Sequence, residues 1–356
     1  MDRLPATALR WLSCGLLLAA GWAGAQQSAP KPPSSESRPF TLTEVQPGVY
    51  VHVGAVEDWT PQAGGDVANL GVVVGSRCVA VIDTGGTPQV GGALRAAIER
   101  IARQPVCYVI NTHAHPDHVL GNVAFTDAGG GAAPKFVASA RFGKMLSARE
   151  PYYQNALRRD FGIEATHSTF LYPTVAVEKS LDIDLGDRVL TLRTWPTAHT
   201  DNDLTVYDQM TRTLFAADLL FVRHLPVLDG SLRGWIAVMA DMRCLDVKTV
   251  VPGHGDPRPD WPGAMDAQAA YLGALLADTR SAIRDLVPIR QATDRIAVSG
   301  AAAWRLIDRF HRRNVTAAYS ELEWEDDAAR ASAPPVSTPD CAGDRRAPPG
   351  VSSGPT

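Results

Sequence analysis

The sequence has little cysteine and no long stretch of a single charge, and both facts narrow its function. Only five of the 356 residues are cysteines, and none belongs to a Cys-x-x-Cys pair, which excludes a zinc knuckle and a thioredoxin-type redox centre. The formal net charge is −4, without a long basic run or an acidic block. We therefore expect a small-molecule substrate and no nucleic-acid partner.

The first 25 residues have the three parts of a secretory signal peptide. Arg3 and Arg10 precede an apolar stretch at 11–20, and Ala23-Gly24-Ala25 forms a small-residue cleavage site. The apolar stretch is too short to span a membrane. We expect a periplasmic or secreted protein, cut after residue 25 and left without a stable membrane anchor. A buried N-terminal helix is the alternative interpretation.

Apolar runs alternate with helical patterns from residue 40 onwards. Strands are predicted at 49–53, 69–74, 78–82, 106–110, 135–138, 204–208, 213–217 and 249–251, and two strands joined by a turn at Gly186-Asp187 are predicted within 181–195. Helices are predicted at 88–102, 142–161, 234–241, 265–287 and 300–310. This order suits two sheets packed face to face with helices outside. We expect a flexible leader at 26–39, one catalytic domain at 40–330 and a disordered Pro/Ser/Gly-rich tail at 331–356.

Histidine is scarce, yet it is concentrated in one segment. Three of the nine histidines fall between His113 and His118, together with Asp117, directly after the strand predicted at 106–110. A strand end that opens into a loop can direct several side chains into one cavity. Histidine nitrogens and aspartate oxygens are ligands of zinc. The segment therefore predicts a metal site, and the alternative is a polar surface loop.

Three further side chains of the same types follow apolar runs: His199, Asp218 and His254. We expect all three at the same sheet edge as His113. Seven ligands are too many for one tetrahedral ion, whereas two ions that share a bridging carboxylate fit the count. Asp83 also ends a predicted strand, and it either accepts a hydrogen bond from a ligand imidazole or forms a turn.

These motifs together resemble the metallo-β-lactamase-fold hydrolase superfamily. The resemblance covers roughly 40–256, with His-x-His-x-Asp-His, a later histidine, an aspartate and Gly-His-Gly in order. It implies a four-layer αββα sandwich of the α+β class, with a two-metal site at one edge. The segments Phe215–Phe221 and Val251–Gly255, with the signal peptide, look most like the quinoprotein relay system zinc metallohydrolase branch.

The resemblance also implies which residues bind two zinc ions per chain. His113, His115 and His199 would hold one ion, Asp117, His118 and His254 would hold the other, and Asp218 would bridge them. A hydroxide between the ions would attack a carbonyl of an ester, lactone, thioester or amide. Asp117 is the expected catalytic residue, orienting the nucleophile and passing its proton to the leaving group.

Two other functions remain open at this stage. One is a metallo-β-lactamase that hydrolyses β-lactam antibiotics, although many such enzymes have a cysteine where this chain has Asp218. The other is a non-catalytic, metal-bound accessory protein of a periplasmic dehydrogenase, which would not need the complete ligand set.

Cys78 and Cys107 each begin a predicted strand, at 78–83 and 107–112. If the strands are parallel neighbours in matched register, the two thiols lie side by side and can form a disulfide, which an oxidising compartment permits. Two buried, reduced thiols are the alternative.

Overall fold

Two β-sheets form the centre of the protein in the computed structural model, which describes residues 40–126, 132–258 and 260–325. The first sheet has seven strands in chain order. These are β1 (Thr43–Gln46), β2 (Val49–His52), β3 (Leu70–Val74), β4 (Val79–Ile82), β5 (Val106–Ile110), β6 (Lys135–Ser139) and β7 (Val175–Val177). Strands β1 to β4 pair antiparallel, and β4 to β7 pair parallel.

The second sheet has five strands in the order β12-β11-β10-β9-β8. They are β8 (Ser180–Asp184), β9 (Val189–Thr194), β10 (Leu204–Asp208), β11 (Thr213–Phe221) and β12 (Thr249–His254). Strands β8 to β11 are antiparallel neighbours, whereas β11 and β12 are parallel. The carboxyl ends of β9, β11 and β12 therefore lie at one edge of this sheet.

The helices are α1 (Pro88–Ile101), α2 (Pro116–Val119), α3 (Phe142–Ala156), α4 (Leu232–Arg243), α5 (Asp266–Arg284), α6 (Ile289–Arg295) and α7 (Ile307–Leu322). A π-helical turn, Leu157–Phe161, extends α3. Short 3-10 turns occur at Asn122–Phe125, His167–Thr169, Gly263–Met265 and Ala301–Ala303.

The strands are apolar on both faces because both faces are covered. Val73 and Ile82 of the first sheet share a buried cluster with Leu192 and Phe215 of the second, so the sheets pack face to face. Their opposite faces pack on helices: β3 and β4 share a cluster with α1, and β10 and β11 share one with α4, α5 and α7. Continuous apolar strands are expected for such doubly covered sheets. The four-layer αββα prediction is confirmed.

A disulfide joins Cys78 to Cys107. Cys78 directly precedes β4 and Cys107 is the second residue of its parallel neighbour β5, and the register of the two strands places Val79 beside Val106. Of the two alternatives left open by the sequence, the structure therefore has the bridge.

The predicted helix at 300–310 is wrong in extent. Ala301–Ala303 is a single 3-10 turn, and Leu306 has a left-handed backbone with φ of 63° before α7 begins at Ile307. Arg305 is instead extended and forms a bridge with His224. Helix α6 and strands β1 and β7 were not predicted from the sequence.

The predicted signal peptide (1–25), leader (26–39) and tail (331–356) lie outside the described residues. Within the described ranges, none of the helices combines the length and the apolar character that crossing a membrane requires.

Candidate metal centre

The first four candidate ligands follow the carboxyl end of β5. The chain leaves the strand at Ile110, and His113 and His115 lie in the loop before the short helix α2, which carries Asp117 and His118. Leu204 N donates a hydrogen bond to Thr112 O at 2.8 Å, which joins this loop to the second sheet. The loop is therefore fixed at the rim between the two sheets.

The other three candidate ligands come from the second sheet. His199 lies in the loop after β9, Asp218 lies within β11, and His254 is the last residue of β12. The expectation that they share the sheet edge of His113 is therefore wrong, because two sheet edges meet at one rim. Asp218 also does not follow its strand, since β11 continues to Phe221.

An irregularity in β11 directs Asp218 into the site. The pairing of β11 with β12 shifts around Ala217, which has φ of 47°, an unusual value for a residue with a side chain. Gly253 on β12 leaves room for the carboxylate, because a Cβ there would lie 1.8 Å from Asp218 Oδ1. Asp218 is consequently buried among imidazoles instead of projecting from the sheet.

Asp218 lies at the centre of the cluster. Its Oδ1 is 3.2 Å from His118 Nε2, and its Oδ2 is 3.4 Å from His199 Nε2 and 3.5 Å from His254 Nε2. Its Oδ2 is also 3.7 Å from His113 Nε2. Asp117 Oδ2 is 3.4 Å from His254 Nε2.

The ligand atoms form two groups, and within each group they lie within 4.8 Å of one another. The groups are His113, His115, His199 and Asp218, and Asp117, His118 and His254. The structure thus brings all seven predicted residues together in the two predicted sets, with Asp218 reaching both.

Each of the five histidines directs one ring nitrogen at the cluster and uses the second ring nitrogen for a hydrogen bond outside it. The bonds are His113 Nδ1 to Thr112 Oγ1 (3.1 Å), His115 Nε2 to Asp229 Oδ2 (2.8 Å), His118 Nδ1 to Asp83 Oδ2 (2.8 Å), His199 Nδ1 to Val227 O (2.7 Å) and His254 Nδ1 to Val67 O (2.9 Å). Such partners fix the ring and its tautomer and are typical of metal-binding histidines. Their remaining nitrogens are directed at the cluster.

Asp83 has one of the two roles considered from the sequence. Its carboxylate accepts hydrogen bonds from Thr112 N at 2.9 Å and from His118 Nδ1. Its backbone has a left-handed φ of 56°, but residues 83–85 form no turn, so the structure has the imidazole acceptor and not the turn-forming aspartate.

Burial and neighbouring charges shift the pKa values of Asp218 and His118 in opposite directions. Burial alone would raise the pKa of the Asp218 carboxyl, but His118 and His254 lower it well below its usual value. Burial disfavours the charged form of His118, yet Asp218, Asp117 and Asp83 raise its pKa well above the ordinary value. Burial lowers the pKa of His199 to about 4. The buried carboxylate is thus stabilised by positive charge around it.

The donor set fits a metal. His113 Nε2, His118 Nε2 and Asp218 Oδ1 are buried without a hydrogen-bond partner among the described residues, which is costly unless a ligand occupies the space between them. Imidazole nitrogens combined with carboxylate oxygens suit zinc and neighbouring transition metals. The cluster is therefore suited to binding metal ions.

A cavity of about 620 Å³ opens above the cluster. His115, Asp117, His199, Asp218 and His254 form its floor, and its walls come from the 54–66 loop, α3 and α7. Trp59, Tyr152, Tyr153 and His224 are among the residues that line it. Arg223, by contrast, pairs with Asp256 at the surface.

Asp229 and Arg149 were missed by the sequence reasoning. Asp229 Oδ2 accepts hydrogen bonds from both His115 Nε2 and Arg149 Nη2, the latter at 2.5 Å. Burial would raise the pKa of Asp229, but its hydrogen bond with His115 lowers it to about 2. Asp229 stands in a Leu-Asp-Gly turn with no neighbouring ligand in sequence, so no local pattern marked it.

Comparison with known proteins supports the family assigned from the motifs. Residues 63–254 match the family model described as the metallo-beta-lactamase superfamily, which is more than half of the chain. A linear primary-alkylsulfatase of Pseudomonas sp. is 24% identical over 210 residues, covering 50% of this chain and 39% of that protein.

The structure of an inverting sec-alkylsulfatase from Pseudomonas sp. superposes with a TM-score of 0.60 at 16% identity, covering 83% of this chain and 52% of that one. This likeness concerns the fold, and the chain spans about half or less of the length of these relatives. The family match and the fold agree: the chain belongs to the metallo-β-lactamase superfamily.

Proposed function

We propose that this protein is a periplasmic dizinc hydrolase that acts on a small molecule with an ester, lactone, thioester or amide carbonyl, in association with a quinoprotein dehydrogenase system. The main support for a hydrolase is that five oriented imidazoles and two carboxylates converge at the floor of an open cavity. A purely structural metal site is usually closed, whereas a catalytic site leaves room for water and substrate.

Bound metal ions would supply Lewis acidity to the substrate carbonyl and make water acidic enough to act as a nucleophile near neutral pH. Asp117 is placed to transfer protons to and from a substrate because it lines the cavity. Its Oδ2 is also 3.4 Å from His254 Nε2, beside the candidate ligands. In this role Asp117 orients the attacking water and transfers its proton to the leaving group. Trp59 and Tyr152 would pack against apolar parts of the substrate.

The first experiment is elemental analysis of the purified mature protein beside Asp117→Ala and His199→Ala. We expect close to two zinc per chain, with less in both variants, because each removes one ligand from a different group. The same three proteins are then screened on ester, lactone, thioester, amide and β-lactam substrates, and the variants should lose turnover. A metal-free wild-type protein would overturn the dizinc proposal, whereas bound zinc without turnover of any substrate would favour the metal-bound accessory protein.

A second candidate substrate is an alkyl sulfate ester, because the relatives named above are alkylsulfatases. Sulfate release from a medium-chain alkyl sulfate, followed beside hydrolysis of the matching carboxylic ester, separates the two. Faster turnover of the sulfate would replace the carbonyl substrate class. No turnover of the sulfate leaves the carbonyl class as the proposal.

The location is tested by fractionating cells that express the full chain. We expect the mature protein in the periplasmic fraction, with an N-terminus at Gln26 by mass spectrometry. A protein with an intact N-terminus in the cytoplasmic fraction would contradict both the proposed export and the proposed association with a periplasmic dehydrogenase.

A further inference from the structure

The segment 226–229, which we call the holding segment, contacts two candidate ligands at once. Val227 O accepts a hydrogen bond from His199 Nδ1 at 2.7 Å, and Asp229 Oδ2 bonds His115 Nε2 at 2.8 Å. Asp229 N also donates to His199 O at 3.1 Å. Both histidines belong to the same ligand group, so the position of this segment sets the orientation of that half of the centre.

The holding segment lies outside the sheets and depends on other contacts for its own position. It follows β11 and precedes α4. Asn314 of α7 supplies hydrogen bonds on both sides of Val227: its Nδ2 donates to Pro226 O at 2.6 Å, and its Oδ1 accepts from Leu228 N at 2.9 Å. One side chain therefore binds the N–H of the peptide group whose carbonyl, Val227 O, accepts from His199, together with the carbonyl of the preceding peptide group.

Asn314 is itself held rigidly. It is fully buried, and its Nδ2 also donates to Tyr271 Oη of α5 at 2.9 Å. Tyr271 Oη in turn lies 3.1 Å from His311 Nδ1. A fully satisfied, buried polar network of this kind defines one geometry, because each unpaired group would carry a desolvation cost.

We propose that Asn314 is a positioning residue for the metal group formed by His113, His115, His199 and Asp218, acting through the holding segment. The C-terminal helix α7 lies beyond the family match, which ends at residue 254. It thus becomes part of the metal centre without contributing a ligand. This inference rests on the proposed metal function, and its test must separate the two.

The test measures zinc affinity and stoichiometry by chelator competition in the full chain carrying Asn314→Ala. Loss of a direct partner of a metal ligand typically weakens metal binding by about 10- to 100-fold, and because Asn314 acts one contact further out we expect a loss of about 10-fold or less. We expect that loss for one zinc only, because Asp117, His118 and His254 do not contact the holding segment through any hydrogen bond among the described residues. At limiting free zinc the variant should therefore retain one ion where the wild type retains two.

Val315→Ala is the matched control, because Val315 is the fully buried neighbour of Asn314 but its side chain offers no hydrogen bond to the holding segment. It should lower the melting temperature while retaining two ions. Asn314→Asp is the second variant in case the alanine does not fold: it keeps an acceptor for Leu228 N and loses the donor to Pro226 O, so a smaller affinity loss at the same ion is expected.

Cobalt substitution gives an independent readout, since its visible spectrum reports ligand geometry. The Asn314 variants should change the spectrum of one cobalt, and Val315→Ala should leave both unchanged. Two tightly bound ions in Asn314→Ala, or equal weakening of both, would overturn the positioning role while leaving the metal function intact. A wild-type protein that binds no metal would instead overturn the metal function itself.

Discussion

Substitution of Asp83 by asparagine tests how the centre is oriented with a change of almost no volume. Asp83 is buried, and its Oδ2 accepts hydrogen bonds from His118 Nδ1 at 2.8 Å and from Thr112 Oγ1 at 2.7 Å. Its Oδ1 accepts from Thr112 N at 2.9 Å. Asparagine tolerates the left-handed backbone at this position, so the local backbone conformation should survive.

The expected loss follows from the chemistry of the replaced oxygen. If the asparagine oxygen keeps the bond from Thr112 N, its amide group occupies the place of Oδ2 and faces His118 Nδ1 as a donor. His118 would then have to carry its proton on Nε2, the nitrogen that faces the cluster. Removing such a partner costs roughly 10- to 100-fold in metal affinity, or about 1.4–2.7 kcal/mol at 1.36 kcal/mol per tenfold.

The assay is zinc competition against a chromophoric chelator, with one affinity resolved for each ion. The affinity for the ion proposed to bind Asp117, His118 and His254 should fall in Asp83→Asn, whereas the affinity for the other ion should change little. Glu150→Gln is the control, because Glu150 bonds the exposed His167 in a comparable pair away from the centre. Unchanged affinity for both ions in Asp83→Asn would refute the idea that this carboxylate sets the tautomer of His118.

Three further outcomes are expected. Gly253→Ala should displace the Asp218 carboxylate and lower zinc content, as measured by elemental analysis. Gly92→Ala on α1, where a Cβ meets nothing within 4 Å, should retain zinc and gain roughly 0.5–1 kcal/mol of stability in denaturant unfolding; equal zinc in both would contradict this. Replacing Cys78 and Cys107 by serine should reduce the unfolding free energy by about 3–4 kcal/mol, given the sequence separation of 29, without loss of zinc; an unchanged denaturation midpoint would count against it. Burial lowers the pKa of His224 to about 3, so the contribution of its neutral ring to the free energy of unfolding is complete above about pH 6.5 and is lost as the pH falls towards 3. His224→Gln should therefore reduce the dependence of the unfolding free energy on pH between 3 and 6.5, and an unaltered slope would exclude the explanation.

The fold could be predicted where local pattern and tertiary structure agree. Strand β5 was predicted with the bounds that it has, and α1 differs by one residue, because the apolar periodicity of each matches the faces that it buries. The start of α7 could not be predicted in this way. No glycine or proline marks Leu306, and the break arises because Arg305 N donates to Arg223 O and Arg305 O accepts from Leu225 N, contacts between segments far apart in sequence.

The candidate ligands could be predicted from the sequence and their orientation could not, and the reason is chemical. A metal-binding imidazole must be a histidine, so its position can be recognised in a sequence. The group that holds its other nitrogen need not be any particular residue, since for His199 and His254 it is a backbone carbonyl, of Val227 and Val67 respectively. Every residue carries such a carbonyl, so only its location identifies it, and that location is set by tertiary contacts such as those of Asn314. The candidate metal-binding side chains can therefore be recognised in the sequence, whereas the groups that orient them can be identified only in the folded structure.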